Sequence, residues 1–152
     1  MSESIFITRE SLLEQQDTLS MEKVELQDSK GNVRGHVFVR EMTAKEKNTW
    51  EMSLTKRLPK IGNKQQETEM NLEDYRTKLA ICTLCDEHGV RLFEMKPNII
   101  ASLGEKLSAS NMERIADTAS KLNKITKEDQ DETLKNSEAD QSDSSSSDSA
   151  LA

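Results

Sequence analysis

Two cysteines and a histidine form the most chemically suggestive cluster of the chain, Cys82-Thr-Leu-Cys85-Asp-Glu-His88. This spacing could supply three zinc ligands, but structural zinc sites take four, normally from two such pairs. A redox-active C-x-x-C pair needs a helix N-terminus, where the helix dipole stabilises the thiolate. We predict both cysteines at the C-terminal end of a helix, where the dipole acts in the opposite sense. We therefore expect Cys82 in the core and Cys85 half-buried, with a metal-dependent regulator built on Cys82, Cys85 and His88 as a competing hypothesis.

No other combination of residues predicts catalysis. No Ser/His/Asp arrangement stands out, and the G-x-S-x-G and H-E-x-x-H motifs do not occur. His88, in an Asp-Glu-His-Gly turn near a helix end, is expected to cap that helix or to face solvent. We expect a protein that is not an enzyme and that needs no cofactor.

These side chains would be positioned by a small α+β domain, mostly helical, with an N-terminal β-hairpin. Alternating apolar residues on both sides of residues 28–32 predict the hairpin over residues 23–40. Thr43 and Glu46 have capping-box spacing, which predicts a helix that continues through Trp50 and Leu54 and stops before Pro59. Residues 59–70 are rich in amides and charge and have no period, so they are predicted to form a flexible loop.

Three further helices are predicted. The first is capped by Asn71 and ends at residues 86–89, and the second begins near Pro97 and is interrupted near Gly104. The third has a strong amphipathic stripe after Ser110. Four members of this stripe are our candidate partner contacts, with core packing as the alternative: Met112, Ile115, Ala119 and Leu122. Adaptable methionines recur at or near the apolar faces: Met42, Met52, Met70, Met95 and Met112.

The charge is concentrated at one end of the chain. The 152 residues include 28 acidic and 21 basic side chains, for a net charge of −7, and only 34% are apolar. The segment 127–152 accounts for −6 of this charge. We therefore predict an N-terminal arm (1–20), a nearly neutral folded domain (21–125) and a disordered, acidic, Ser-rich tail (126–152). A near-neutral body is a poor match for nucleic acid. No apolar run is long enough for a membrane span and no signal peptide is evident, so we expect a cytoplasmic protein with free thiols.

The order of several segments resembles a known family. A hairpin ending in Val-Phe-Val-Arg-Glu-Met-Thr-Ala-Lys-Glu46 precedes a helix with Trp50. Arg76-Thr-Lys-Leu-Ala-Ile-Cys-Thr-Leu-Cys-Asp-Glu-His-Gly-Val-Arg-Leu-Phe93 follows, and then Ala-Ser-Leu-Gly-Glu-Lys106. Over about residues 20–125, together with the tail, the chain resembles the tail assembly chaperones of bacteriophages with long, non-contractile tails. Its most specific parts are residues 39–44 and 84–93.

The resemblance implies a function in virion assembly. Such chaperones coat the tape-measure protein in the host cytoplasm, keep it soluble until the tail tube assembles, and are absent from the mature virion. Exposed apolar stripes on that long helical protein would otherwise aggregate, and helix-in-groove contacts would shield them. A homo-oligomer would be compatible with this function. The alternative is a minor structural tail protein of a phage or prophage, which would stay in the particle.

The resemblance also implies a longer product made by a −1 ribosomal frameshift. Leu134, Lys135 and Asn136 can be encoded by codons that join as A-AAA-AAC, a slippery heptamer, so they are the candidate frameshift point. Residues after Asn136 would then belong only to the short form. The longer form, a further partner of this one, would carry a segment that recruits the tail-tube protein. An ordinary polar tail is the alternative.

Overall fold

The computed structural model describes residues 4–58, 62 and 68–125. These residues form an α+β domain with five helices and a small antiparallel sheet, as the sequence predicts. The predicted tail, 126–152, lies outside the described residues. The elements in chain order are α1 (Arg9–Glu14), β1 (Met21–Gln27), β2 (Val33–Arg40), α2 (Ala44–Ser53), β3 (Thr55–Arg57), β4 (Thr68–Met70), α3 (Tyr75–Thr83), β5 (Leu84–Cys85), α4 (Pro97–Lys106) and α5 (Ala109–Leu122).

The predicted hairpin is confirmed as β1 and β2, which pair antiparallel along their lengths. In the turn, the Asp28 carboxylate accepts hydrogen bonds from the backbone N–H groups of Lys30 (2.9 Å) and Asn32 (3.0 Å). Gly31 has a φ of 85°, which glycine adopts without steric cost. The short strand β5 pairs with β2 on the other side, so the sheet order is β1-β2-β5.

The start of the helix predicted after Thr43 is confirmed, together with its capping box, but the helix does not continue through Leu54: it ends at Ser53, and Thr55–Arg57 form the unpredicted strand β3. The Thr43 hydroxyl accepts from the backbone N–H of Glu46 (3.2 Å), and the Glu46 carboxylate accepts from the backbone N–H of Thr43 (2.8 Å). The loop predicted over residues 59–70 is wrong at residues 68–70, which form β4 and pair with β3. The strand that pairs with β4, β3, lies more than ten residues earlier in the chain, so no local pattern of residues predicts β4. Residues 59–61 and 63–67 lie outside the described residues.

Both predicted ends of the next helix are corrected. Asn71 does not cap α3: its side chain accepts from the backbone N–H of Glu73 (3.1 Å), and the helix begins after Asp74, which has a φ of 58°. The helix ends at Thr83, because Leu84 and Cys85 leave it to pair with β2. Residues 86–90 then form a turn, where the Asp86 carboxylate accepts two backbone N–H groups.

The last two helices begin close to where the sequence predicts. Pro97 is the first residue of α4, and Ser108 caps α5 through a hydrogen bond from the backbone N–H of Asn111 (3.1 Å). The predicted interruption near Gly104 is wrong, since α4 continues to Lys106. No helix within residues 4–58 and 68–125 is both long and apolar enough to cross a membrane.

The core lies where α3 and α5 meet each other and the hairpin. Every residue of α3 from Thr77 to Thr83 is buried, and α5 presents its apolar stripe to the same centre. The buried apolar side chains that form this cluster are Val24, Leu26, Val39, Met42, Trp50, Leu54, Leu79, Ala80, Cys82, Leu84, Met112, Ile115, Ala116 and Ala119.

Candidate partner-binding surfaces

The structure does not bring Cys82, Cys85 and His88 together as ligands. Cys82 lies in the core in the last turn of α3, as expected, whereas the expectation for Cys85 is wrong: it lies in β5, not in a helix, and pairing with β2 makes it fully buried, not half-buried. The His88 side chain is 77% exposed and lies 3.5 Å from the Glu87 carboxylate. Within the described part of the chain, no group of three His, Cys, Asp or Glu residues could hold a metal ion. The zinc hypothesis therefore has no geometric support in these residues.

Burial also keeps the two thiols protonated. It is the largest influence on Cys82 and raises its pKa to about 11, although the charge of Arg91 acts in the opposite direction. Burial raises the pKa of Cys85 as well. Because the thiolate is the form that attacks or binds a metal, both thiols are expected to be unreactive in the folded protein.

The candidate contact face on α5 is part of the core. Met112, Ile115 and Ala119 are buried, and Leu122 is partly buried and packs against the same cluster. A partner could reach Met112, Ile115 and Ala119 only if α5 separated from the hairpin and α3. Leu134, Lys135 and Asn136, the candidate frameshift point, lie outside the described residues.

An open apolar cavity of about 490 Å³ lies beside α2, and we refer to it as the Trp50 groove. Its apolar lining comes from four parts of the fold: α2 with the residue that follows it, β4, the start of α3 and the segment after α5. The apolar lining residues are Trp50, Leu54, Met70, Tyr75 and Ile125. Polar and charged side chains complete the lining: Lys47, Glu51, Thr55 and Lys124.

The aromatic wall of the groove is fixed by packing. The rings of Trp50 and Tyr75 meet edge to face, with centroids 5.5 Å apart and planes at 65°. Pairing of Thr55 with Met70 holds β4 against the end of α2. The Trp50 side chain is buried, but its indole Nε1 has no hydrogen-bond acceptor among the described residues.

Lys124 and Ile125 line the groove from the segment that follows α5. Lys124 has a φ of 55°, which turns the chain so that the backbone N–H of Ile125 donates to the carbonyl of Ser120 (2.8 Å). The Asn123 side chain accepts from the backbone N–H of Met42 (2.7 Å) and so ties this turn to the start of α2. The position of Ile125 therefore depends on long-range contacts.

A mostly buried ion cluster fixes α2, which carries Trp50. The Arg40 guanidinium donates to both oxygens of the Glu46 carboxylate (3.0 and 2.8 Å), and Arg91 donates to one of them (3.4 Å). Burial alone would raise the pKa of Glu46, but hydrogen bonds from Thr43 and Arg40 and the charges of Arg40 and Arg91 outweigh it and lower the pKa. The cluster joins residues 39–44 to residues 84–93, the two segments that carry the family resemblance.

A second apolar surface lies on the N-terminal arm. Its five large apolar side chains are between 58% and 89% exposed: Ile5, Phe6, Ile7, Leu12 and Leu13. Residues 4–8 are not helical, and Thr8 caps the short helix α1 through a hydrogen bond from the backbone N–H of Ser11 (3.2 Å). At the base of the arm, Ser20 and Glu41 exchange two hydrogen bonds of 2.8 Å.

The sequence reasoning missed both surfaces. The sequence predicts helices that contain Trp50, Leu54 and Tyr75, and it marks Met70 as one of the adaptable methionines. No local pattern indicates that these four residues lie close together. The arm had a usable signal, because Ile-Phe-Ile and Leu-Leu place five large apolar residues within nine positions. They fit neither a helical nor a strand period over a long enough window to predict an element.

Comparison of the chain with protein-family models, with curated proteins and with solved structures found no match.

Proposed function

We propose that this protein is a phage tail assembly chaperone, which binds the tape-measure protein in the host cytoplasm and keeps it soluble while the tail tube assembles. The sequence resemblance over about residues 20–125 suggests the family. The observation that supports the binding step is the Trp50 groove, an open cavity with apolar walls and charged groups at its margin.

The groove has the chemistry that a helical client requires. An amphipathic helix places apolar side chains at spacings of three and four residues, and such a stripe binds in apolar grooves. Trp50 and Leu54 are buried and form the base of the groove, so the contact area comes from the partly buried Tyr75 and Ile125 and from Met70, which can adapt to side chains of different shape. Charges of both signs also line the groove, from Lys47, Glu51 and Lys124. Charged residues of either sign that flank the apolar stripe of a client helix can therefore pair with the groove.

The size of the groove limits what one copy can cover. About 490 Å³ holds a few side chains, so one copy shields one short part of a client helix. A tape-measure protein is much longer than that, and many copies would bind along it. Under this proposal the longer frameshifted form binds the same client and brings the tail-tube protein to it.

Co-expression tests this proposal with a matched pair of methionine variants. The client would be the tape-measure protein of the genome that encodes this chain, and the readout is its soluble fraction and its co-purification with the chaperone. Met70→Lys places a charge in the groove, whereas Met52→Lys places the same charge at an exposed site on α2 that does not line it. We expect the wild type and Met52→Lys to keep the client soluble, and Met70→Lys to lose most of this effect.

Two results would contradict the proposal. If Met70→Lys protects the client as well as Met52→Lys does, the groove is not the client site. If mass spectrometry finds the protein at structural stoichiometry in purified virions, the protein is a component of the particle and the alternative stated above holds. Sequencing of the gene tests the frameshift separately, since an AAG codon for Lys135 removes the slippery site.

A further inference from the structure

We propose that residues 126–134 bind back into the Trp50 groove of their own chain, with the Leu134 side chain in its apolar part, and that a client helix must displace them. The occupant is therefore a named segment of this chain, and it follows directly on the described residues. The regulatory part of this inference rests on the proposed function, because it concerns the site where the client binds. The docking itself is tested without a client.

The chain enters this segment at the edge of the groove. Lys124 and Ile125 line the groove, and the hydrogen bond from the Ile125 N–H to the Ser120 carbonyl (2.8 Å) fixes where the chain leaves α5. Consecutive Cα atoms lie about 3.8 Å apart, so residue 126 begins beside the groove. The nine residues from 126 to 134 can reach up to about 30 Å, which leaves ample length to turn back.

The apolar area that the groove offers matches a single large side chain. Trp50 and Leu54 are only 5% and 4% exposed, so contact depends on Met70, which is 37% exposed, and on the partly buried Tyr75 and Ile125. This is too little area for an extended apolar surface. Leu134 is the first large apolar residue after Ile125, and polar or charged residues fill the positions between them.

The segment and the groove also have opposite charges. Residues 126–133 contain four acidic side chains and one basic side chain, for a net charge of −3. The groove carries Lys47 and Lys124 against one acid, Glu51. The ion pair of Lys47 with Glu51 spans 4.0 Å and both side chains are about half exposed, so Lys47 can also reach a second carboxylate. Complementary charges therefore favour this segment in this groove.

The indole of Trp50 gives an independent reason for an occupant that carries hydrogen-bond acceptors. Trp50 lines the groove, and its buried Nε1 has no acceptor among the described residues. Buried N–H groups nearly always have an acceptor, because a buried donor without one is costly. Carbonyl or carboxylate oxygens of residues 126–134 can supply the acceptor, whereas a purely apolar occupant cannot.

The other cavities of the described domain suit Leu134 less well. The cavity beside β1 is lined by Lys23, Glu25 and Arg114, with little apolar surface. The cavity over residues 41–44 already has Ile7, Leu12 and Leu13 of the N-terminal arm along it. The Trp50 groove is therefore selected both by the position of Ile125 and by its lining.

The covalent link makes weak contacts sufficient. A short linker between two binding groups gives an effective concentration on the order of 1 mM, so contacts that would not hold a free peptide can close the groove. Closure remains reversible, because one leucine and a few surface charges bind weakly. A client helix with several apolar side chains can then displace the segment.

Paramagnetic relaxation in the full chain tests the docking. Asn136→Cys carries a nitroxide label two residues beyond Leu134, and the native Cys82 and Cys85 are buried and stay unlabelled. We expect the label to broaden the backbone amide resonances of Met70 and Tyr75, together with the indole resonance of Trp50, the only tryptophan.

A matched pair of leucine variants gives the control. Leu134→Ser should remove most of this broadening, whereas Leu151→Ser makes the same change in the other leucine of residues 126–152 and should leave it unchanged. A mixture of labelled chains with unlabelled, ¹⁵N-enriched chains should show no broadening at the groove, because the segment binds within its own chain.

Three results of this experiment would overturn the docking. Absence of broadening at the groove in the labelled chain shows that the segment does not bind there. Equal broadening in Leu134→Ser shows that the link to Ile125 alone keeps the label nearby. Broadening in the mixture as strong as within one chain assigns the segment to the groove of a second copy.

A client titration then tests the regulation separately. If the groove is closed in at least half of the molecules, its opening by Leu134→Ser should tighten the binding of an apolar tape-measure peptide at least about twofold, and Leu151→Ser should not. Equal affinities of Leu134→Ser and wild type would overturn the regulation. Docking without any client binding would contradict the proposed function and leave the docking intact.

Discussion

Glu46→Gln tests the ion cluster that holds α2, and with it one wall of the Trp50 groove. The substitution preserves the shape of the side chain and removes its charge. The amide oxygen can still accept the backbone N–H of Thr43, so the capping box is only partly lost. The amide nitrogen, however, would face the guanidinium of Arg40 or Arg91, and neither has another acid within salt-bridge distance among the described residues.

The expected loss follows from the burial of the cluster. The side chains of Arg40 and Glu46 are 10% and 13% exposed, and that of Arg91 is 25% exposed. Removal of one partner from a buried ion pair costs about 3–5 kcal/mol, and the remaining hydrogen bonds and partial exposure reduce this figure. We expect a decrease of about 2–4 kcal/mol in the free energy of unfolding.

Urea denaturation at neutral pH, followed by circular dichroism and by Trp50 emission, measures this loss. Glu51→Gln is the matched control on the same helix: its ion pair with Lys47 spans 4.0 Å, and both side chains are about half exposed. Such a pair contributes about 0.3–0.5 kcal/mol. A loss for Glu46→Gln no greater than that for Glu51→Gln would refute the argument that the cluster anchors α2.

Three further predictions concern pH, the thiols and α5. The pKa of Glu46 in the folded protein lies below its ordinary value of 4.5, so its stabilising contribution is present above about pH 4.5 and is lost as the pH falls through the lowered pKa. The acid denaturation curve of Glu46→Gln should lack this loss of stability. Cys82 and Cys85 should react with a thiol reagent at pH 8 only after urea unfolding, and elemental analysis should find no stoichiometric zinc; rapid labelling of the native protein would contradict their burial. Ile115→Ala should lower the free energy of unfolding by about 2–5 kcal/mol in calorimetry or urea titration, and a loss below about 1 kcal/mol would indicate that α5 does not pack as described.

Local signals predicted most of the elements correctly. The hairpin follows from alternating residues around a turn with Asp28 and Gly31, and the start of α2 follows from the spacing of Thr43 and Glu46. In each case the hydrogen bonds that define the element join residues close in sequence. The stripe on α5 was likewise visible, because it depends only on the helical period.

Apart from the short helix α1, whose cap at Thr8 is local and was missed, the errors arose where distant contacts decide the structure. β4 is a three-residue strand whose partner is β3, and α3 ends at Thr83 because the next two residues pair with β2. No window of sequence contains both partners. The same reason explains the missed groove, since Trp50, Met70, Tyr75 and Ile125 lie on separate elements. The stripe on α5 could not by itself distinguish a core face from a partner contact, and the structure places it in the core.

Fluorescence titration tests the central claim, client binding in the Trp50 groove, most directly. Trp50 is the only tryptophan, so its emission in the full chain, titrated with a tryptophan-free peptide from an apolar helical segment of the tape-measure protein, reports on this one site. We predict a saturable shift in emission, with a dissociation constant that is unchanged by Met52→Lys and raised at least about tenfold by Met70→Lys. Binding of equal strength by wild type and Met70→Lys, or a titration that leaves Trp50 emission unchanged, would contradict it.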